Sequence, residues 1–162
     1  MTTKFDEQIK AFNRMYGLAC MDVPGVPRLP VYGPNMSPRA QLDEYLERIY
    51  TIFKEELDEV DAIRDKVRDP KATMLDILTE LADWLGDLQV YCASEMTKFG
   101  LPVSEVLDII MDSNMSKLGP DGKPIHDARG KVLKGPDYWK PEPKIQKLLV
   151  AKMYGLKEGE QG

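Results

Sequence analysis

Histidine occurs once in this chain, at His126, and cysteine only at Cys20 and Cys92, far apart. A zinc site draws on clustered thiolates and imidazoles, so that scarcity argues against one. It also leaves no disulfide framework. Cys92 falls on an apolar helical stripe and is expected in the core, and Cys20 has no evident catalytic partner, so neither reads as a nucleophile. Long hydrophobic runs are missing too, and Met1 to Lys10 is polar. A membrane span and a secretory leader are therefore not expected, and the expected location is the cytoplasm. There is no Gly-rich P-loop, no G-x-G-x-x-G and no internal repeat. Finally, positive charge is in deficit: the formal net charge is −5, which argues against duplex nucleic acid as a partner.

The 162 residues are 43% hydrophobic and 30% charged, the balance of one globular domain. Phe5, Ile9 and Phe12, with Met15 or Tyr16, recur at helical spacing over Lys4 to Tyr16, and Gly17 supplies a stop. From Val23 to Pro38 five prolines and two glycines break any helix, giving an ordered wrap or a mobile lid. Two long helices follow, about Arg39 to Lys66 and Thr73 to Phe99, joined near Asp69 and Pro70, a short link that favours antiparallel neighbours. Leu101 to Met115 is a third periodic stretch, with Pro102 in its first turn, and Lys144 to Tyr154 is a last helix. The class is all-α, a helical bundle.

Glu56 is the anomaly in that pattern. Leu42, Leu46, Ile49, Phe53, Val60, Ile63 and Val67 define one stripe, and Glu56 lies within it, seven residues from both Ile49 and Ile63. A heptad step drifts by only about 20°, so the three point nearly the same way. An inward carboxylate requires a cation, either a salt bridge to Arg48, Lys54 or Arg64 or a metal ion. Glu55, Glu56 and Glu59 form E-E-x-x-E along one edge of the stripe. On the next helix Leu78, Leu81, Leu85, Leu88 and Cys92 make the apolar stripe, bordered by Asp76, Glu80, Asp83 and Asp87. Glu80 and Asp83 could form a plain polar border, and Asp58, Asp61, Asp65 and Asp69 read as a solvated face. Two acidic edges on consecutive helices repel each other, and a hard divalent cation with oxygen ligands, magnesium or manganese, accounts for keeping them together.

Past Leu118 the chain changes character. Gly119-Pro-Asp-Gly122 is a turn signal, and the short runs Lys123 to Ile125 and Lys131 to Leu133 flank Asp127-Ala-Arg-Gly130, predicting a small C-terminal β-hairpin arm. Between Asn114 and Lys147 eight basic residues face four acidic ones, a local excess of +4 that leaves −9 for the rest. An acidic body with a basic arm suits a small polyanion bridged to carboxylates by metal.

With those residues in hand, the chain resembles the all-α nucleoside triphosphate pyrophosphohydrolases, the superfamily of MazG-like enzymes and phosphoribosyl-ATP pyrophosphohydrolase. The signature is E-E-x-x-E followed by E-x-x-D, here Glu55, Glu56 and Glu59, then Glu80 and Asp83. The stretch Ser113-Asn-Met-Ser-Lys-Leu-Gly-Pro-Asp-Gly-Lys-Pro-Ile125, with Gly130-Lys-Val-Leu-Lys-Gly-Pro-Asp-Tyr138, is similar to the S-N-M-S-K-L, D-G-K and K-V-L-K-G segments of one branch. Together the matches span about residues 40 to 141, within a single domain of 1–162 whose core is about 39–118 and whose arm is about 119–141.

The resemblance implies hydrolysis of a nucleoside triphosphate between its α and β phosphates, giving a monophosphate and diphosphate, as nucleotide-pool housekeeping. It implies that Glu55, Glu56, Glu59, Glu80 and Asp83 hold Mg²⁺, with Mn²⁺ as substitute; one of the glutamates would accept the proton of the attacking water, and the inward position of Glu56 favours it. Lys117 and Lys134 would take phosphate oxygens, Asn114 a base or sugar edge, and Tyr138 or Trp139 a base face. It further implies a homodimer or homotetramer, to which a thin core of two long and two short helices adds a hint. Two other functions fit the same residues: phosphoribosyl-ATP pyrophosphohydrolase of histidine biosynthesis, and a non-catalytic helical dimerisation module.

Overall fold

Threonine and serine set where the helices begin. Thr3 and Asp6 form a reciprocal capping box at the start of α1 (Lys4–Met15), and Thr73 with Asp76 does the same for α4 (Met74–Lys98). Ser37 caps α2 (Pro38–Asp58), whose first residue is a proline with no N–H to lose. Each such cap stabilises its helix by about 1 kcal/mol. The remaining helices are α3 (Val60–Arg68), α5 (Val103–Met115) and α6 (Glu142–Tyr154). This computed structural model describes residues 1–156. The chain is mainly helical, as the periodicity predicts.

The predicted helix over Arg39 to Lys66 is divided at Glu59, the third glutamate of the cluster, which joins α2 to α3 with φ −61° and ψ −16°. The Ala62 N–H closes a tight turn on the Glu59 carbonyl at 3.1 Å, so the axis changes at the acidic motif itself.

α4 is the spine: it packs against α1, α2, α3 and α5. Buried Ile9, Ala93 and Val103, with Val90 and Met96 beside them, form the core where α1, α4 and α5 meet. Two buried polar residues lock that end. The Asn13 amide donates to the carbonyls of Ala19 at 3.0 Å and Ser94 at 3.1 Å, and its oxygen accepts from the Ser94 hydroxyl at 2.7 Å. Asp6 accepts from Thr3 on its own helix and from the Ser104 N–H and hydroxyl, at 3.1 and 2.9 Å, at the start of α5.

The proline-rich stretch is an ordered wrap. The Gly25 N–H donates to the Phe99 carbonyl at 2.9 Å, Pro24 and Pro27 are buried, and a short 3₁₀ turn at Pro30–Tyr32 sets Tyr32 against Tyr45. Gly100 turns the chain here at φ +67°, and a β-carbon on it would sit 2.2 Å from the Val23 carbonyl oxygen. Only glycine fits.

The predicted β-hairpin arm is reduced to two isolated antiparallel bridges, Leu118 with Pro124 and His126 with Val132. The register is that of the expected turn, with Leu133 N–H on the Ile125 carbonyl and Asp127 N–H on the Lys131 carbonyl. Runs of three residues, one with Pro124 at its centre, are too short to make a ladder without a third strand. The arm is pinned at its far end, where the Ser113 hydroxyl donates to the Trp139 carbonyl at 2.8 Å. Cys92, expected in the core, is exposed, because the side of α4 that carries it is not the side that α2 covers. No helix among the described residues is long and apolar enough to cross a membrane.

Candidate active site

α2 and α4 run antiparallel: Tyr45 stacks edge-on against Phe99, Phe53 lies near Tyr91, and the Trp84 indole N–H donates to the Glu56 carbonyl at 2.6 Å. Tyr45, Ile49, Ile52 and Glu56 recur at helical spacing on the facing side of α2, and Lys98, Glu95, Tyr91 and Trp84 do so on α4. A groove between the helices therefore leads from Tyr45 and Glu95 to Glu56.

Glu56 is half-buried in that groove, and among the described residues no ion pair takes it. Lys54 pairs with Asp58 at 3.0 Å and Arg64 with Asp61 at 2.9 Å, both on the solvent side, and the third expected partner, Arg48, lines the cavity beside Tyr45. What meets the Glu56 carboxylate is Tyr91. The hydrogen bond from that hydroxyl, then burial, then the nearby negative charges of Glu56 and Asp87 raise the tyrosine pKa above its ordinary value. Glu55, Glu59, Glu80 and Asp83 are exposed. Lys66 reaches from α3 across to α4 and places its ammonium 2.5 Å from Glu80, a pairing that raises the lysine pKa.

Asp76, expected on the same acidic border, is taken by the cap: it accepts from the Thr73 N–H at 2.8 Å and hydroxyl at 2.7 Å. Among the described residues, no three acidic, histidine or cysteine side chains are gathered closely enough to grip one ion.

The second set of expected residues does come together. The Lys117 ammonium donates to the Asn114 side-chain oxygen at 2.7 Å, and the Lys117 and Lys134 ammonium groups lie 5.9 and 4.8 Å from the centre of the Tyr138 ring. Trp139 is occupied differently, with the Lys144 ammonium 3.6 Å from its ring centre. Two positive charges on one aromatic face, with an amide beside them, make a surface for an anion. The fold holds this arrangement through Gly135, where a β-carbon would collide with the Leu118 carbonyl oxygen at 1.5 Å. Among the described residues no hydrogen bond or ion pair joins this basic cluster to the carboxylates of α2, α3 and α4.

Sequence reasoning misses Tyr91, Trp84 and Lys66. Trp84 lies three residues from Leu81 and four from Leu88, and Tyr91 three from Leu88, on the half of the leucine stripe that is partly buried, and their role is legible only once α2 is known to cover that half.

No model of a known protein family matches the chain, and no curated protein sequence matches it. Its fold is similar to that in the crystal structure of a candidate NTP pyrophosphohydrolase from Exiguobacterium sp. 255-15. The superposition has a TM-score of 0.52, covers 97% of this chain and 100% of the other, and relates sequences 21% identical. That likeness establishes the fold.

Proposed function

We propose that the protein is a metal-dependent nucleoside triphosphate pyrophosphohydrolase, converting a (deoxy)nucleoside triphosphate and water to the monophosphate and diphosphate. The observation that carries this reading is the acidic set at the α2–α3 junction, Glu55, Glu56 and Glu59, which the Trp84 bond to the Glu56 carbonyl ties to the turn of α4 that carries Glu80 and Asp83. The fold shared with the Exiguobacterium protein, named for such an activity, is in keeping with it.

The donor set suits magnesium: it is all oxygen, hard and anionic, and Glu80 already attracts a cation in the form of the Lys66 ammonium. Glu55, Glu56, Glu59, Glu80 and Asp83 would hold the ion, with Lys66 yielding Glu80. Bound there, Mg²⁺ would neutralise the triphosphate and acidify water at neutral pH. Glu56, half-buried beside Tyr91, would take the proton of the attacking water. Lys117 and Lys134 take outer phosphate oxygens, and Asn114 and Tyr138 lie beside them for the sugar or base.

The assembly is proposed to be a homodimer or homotetramer. On α2 the exposed apolar residues Leu46, Tyr50 and Leu57 line one side, and on α4 Leu78 and Leu85 are 52% and 44% exposed. A second copy laid on these strips would remove them from water. The basic cluster would then complete a neighbour's site. Mixing Glu56→Gln chains with Lys117→Ala chains restores activity if so, and leaves both silent if each site is built within one chain.

The enzymatic reading is tested by incubating the protein with Mg²⁺ and a panel of ribo- and deoxyribonucleoside triphosphates plus phosphoribosyl-ATP. Monophosphate and diphosphate are expected from the nucleoside triphosphates, with Glu56→Gln inactive. Turnover of phosphoribosyl-ATP alone would move the protein to histidine biosynthesis. Silence with Mg²⁺ and Mn²⁺, in a protein that still binds the metal, would mark a non-catalytic dimerisation module.

A further inference from the structure

At the other end of the α2–α4 groove lies a cavity of about 200 Å³ that the acidic site does not use. Ile49 and Ile52 from α2 and Leu18 and Leu29 from the preceding loops give it apolar walls, and Tyr45, Arg48, Glu95 and Lys98 supply its polar groups. The volume is several times the roughly 30 Å³ share of a water and smaller than the roughly 300–1,000 Å³ of sites that enclose a whole drug-sized ligand. It has room for a ring.

Its polar groups are not there by default. Tyr45 is 3% exposed, and its buried hydroxyl has no hydrogen-bond partner among the described residues. A hydroxyl buried without a partner costs on the order of 1–3 kcal/mol relative to a satisfied one, a cost phenylalanine would avoid at the same ring contacts with Tyr32 and Phe99. Burial pushes the phenol up to about 12, so it stays protonated and can donate. Opposite, Glu95 is buried and pairs through one oxygen with Lys98. These two charges offset each other and the remaining one, Arg48, is exposed to water, so the interior of the cavity suits a neutral ligand with a polar edge.

Register links the cavity to the chemistry. Ile52 precedes Glu56 by four residues and Tyr45 by eleven on one helix face, separations of about 6 and 16 Å at 1.5 Å per residue. A sugar and phosphate chain fits that interval.

We propose that this cavity receives the nucleobase of the substrate, leaving Asn114 and Tyr138 to the sugar, with the base's faces between the isoleucines and leucines and its edge bonded by the Tyr45 hydroxyl and the Glu95 carboxylate. This rests on the nucleoside triphosphatase reading, and it makes Tyr45 a specificity-determining residue remote from the reacting phosphorus. The test compares wild type, Tyr45→Phe and Ile52→Trp for turnover of the preferred nucleoside triphosphate, for inhibition by inorganic tripolyphosphate, and for binding of the free nucleosides by NMR. Tyr45→Phe keeps the ring contacts, so its fold is retained, and it should raise KM by roughly 3- to 10-fold, the loss of one hydrogen bond, with kcat little changed. Ile52→Trp fills the cavity and should abolish nucleoside binding, while tripolyphosphate inhibits all three proteins equally. Wild-type KM and nucleoside binding in both variants would overturn the base pocket and leave the hydrolase standing. If wild type hydrolyses no triphosphate, the hydrolase reading fails. Nucleoside binding lost in Ile52→Trp would then still support the cavity assignment, and no nucleoside binding to wild type would overturn it.

Discussion

The two ends of α4 solve opposite problems. Where its C-terminal half meets α1 and α5, the buried polar groups Asn13 and Asp6 are answered: Asn13 binds two carbonyls and a hydroxyl, and Asp6 caps one helix while holding the start of another. At its N-terminal end the carboxylates Glu55, Glu59 and Asp83 face water, Glu80 leans on a lysine from another helix, and leucines lie uncovered. That junction with α1 and α5 is finished within the chain. The N-terminal end is arranged for something the chain lacks, and locating function there follows from that incompleteness.

Substitutions that sharpen the contrast should separate activity from stability. Glu56→Gln should lower turnover by roughly 10²–10⁴-fold, equivalent to about 3–5 kcal/mol of barrier, with a melting temperature close to wild type. Asn13→Ala does the reverse. It strands the Ser94 hydroxyl and two carbonyls in a fully buried site and should cost about 3 kcal/mol in denaturant unfolding, with kcat of the remaining folded protein unchanged. Leu78→Glu together with Leu85→Glu should cost about 1–2 kcal/mol of association per leucine and reduce the molar mass seen by light scattering toward that of one chain. An unchanged mass would mean that the open strips are not an interface.

Acid should act first on the finished end. Burial alone would raise the Asp6 carboxyl, but the Thr3 N–H, the Ser104 and Thr3 hydroxyls and the Ser104 N–H outweigh it and hold it below its ordinary 3.8. A carboxyl depressed in the folded state contributes stability that is complete above its unfolded pKa and lost as pH falls through the folded one. Wild type should therefore lose stability relative to Asp6→Asn as pH drops below about 4, measured by melting temperature, and a constant difference would contradict the assignment. The smallest effect is expected for Lys66→Ala, which frees Glu80: melting temperature unchanged, half-saturation by Mg²⁺ at lower concentration.

Much of this division is legible in the sequence. The helix periods, the caps at Thr3 and Thr73 and the E-E-x-x-E with E-x-x-D spacing all depend on local order, and local order survives into the fold. What escapes depends on which side a neighbour covers. The stripe through Leu78, Leu85 and Cys92 reads as core because periodicity reports amphipathicity and not the identity of the covering surface. Likewise Asp76 reads as a ligand candidate because a cap and a metal ligand use the same oxygen. The arm reads as a hairpin because turn residues fix register, while strand formation needs a length that its three-residue runs do not have.

The most direct test is ³¹P NMR of one preferred nucleoside triphosphate incubated with the protein and Mg²⁺. The account predicts that the three triphosphate signals give way to one monophosphate and one diphosphate resonance, with no orthophosphate, and that Glu56→Gln leaves them intact. Orthophosphate with a nucleoside diphosphate would place the cut at the other anhydride, and an unchanged spectrum would remove the acidic end of α4 from catalysis altogether.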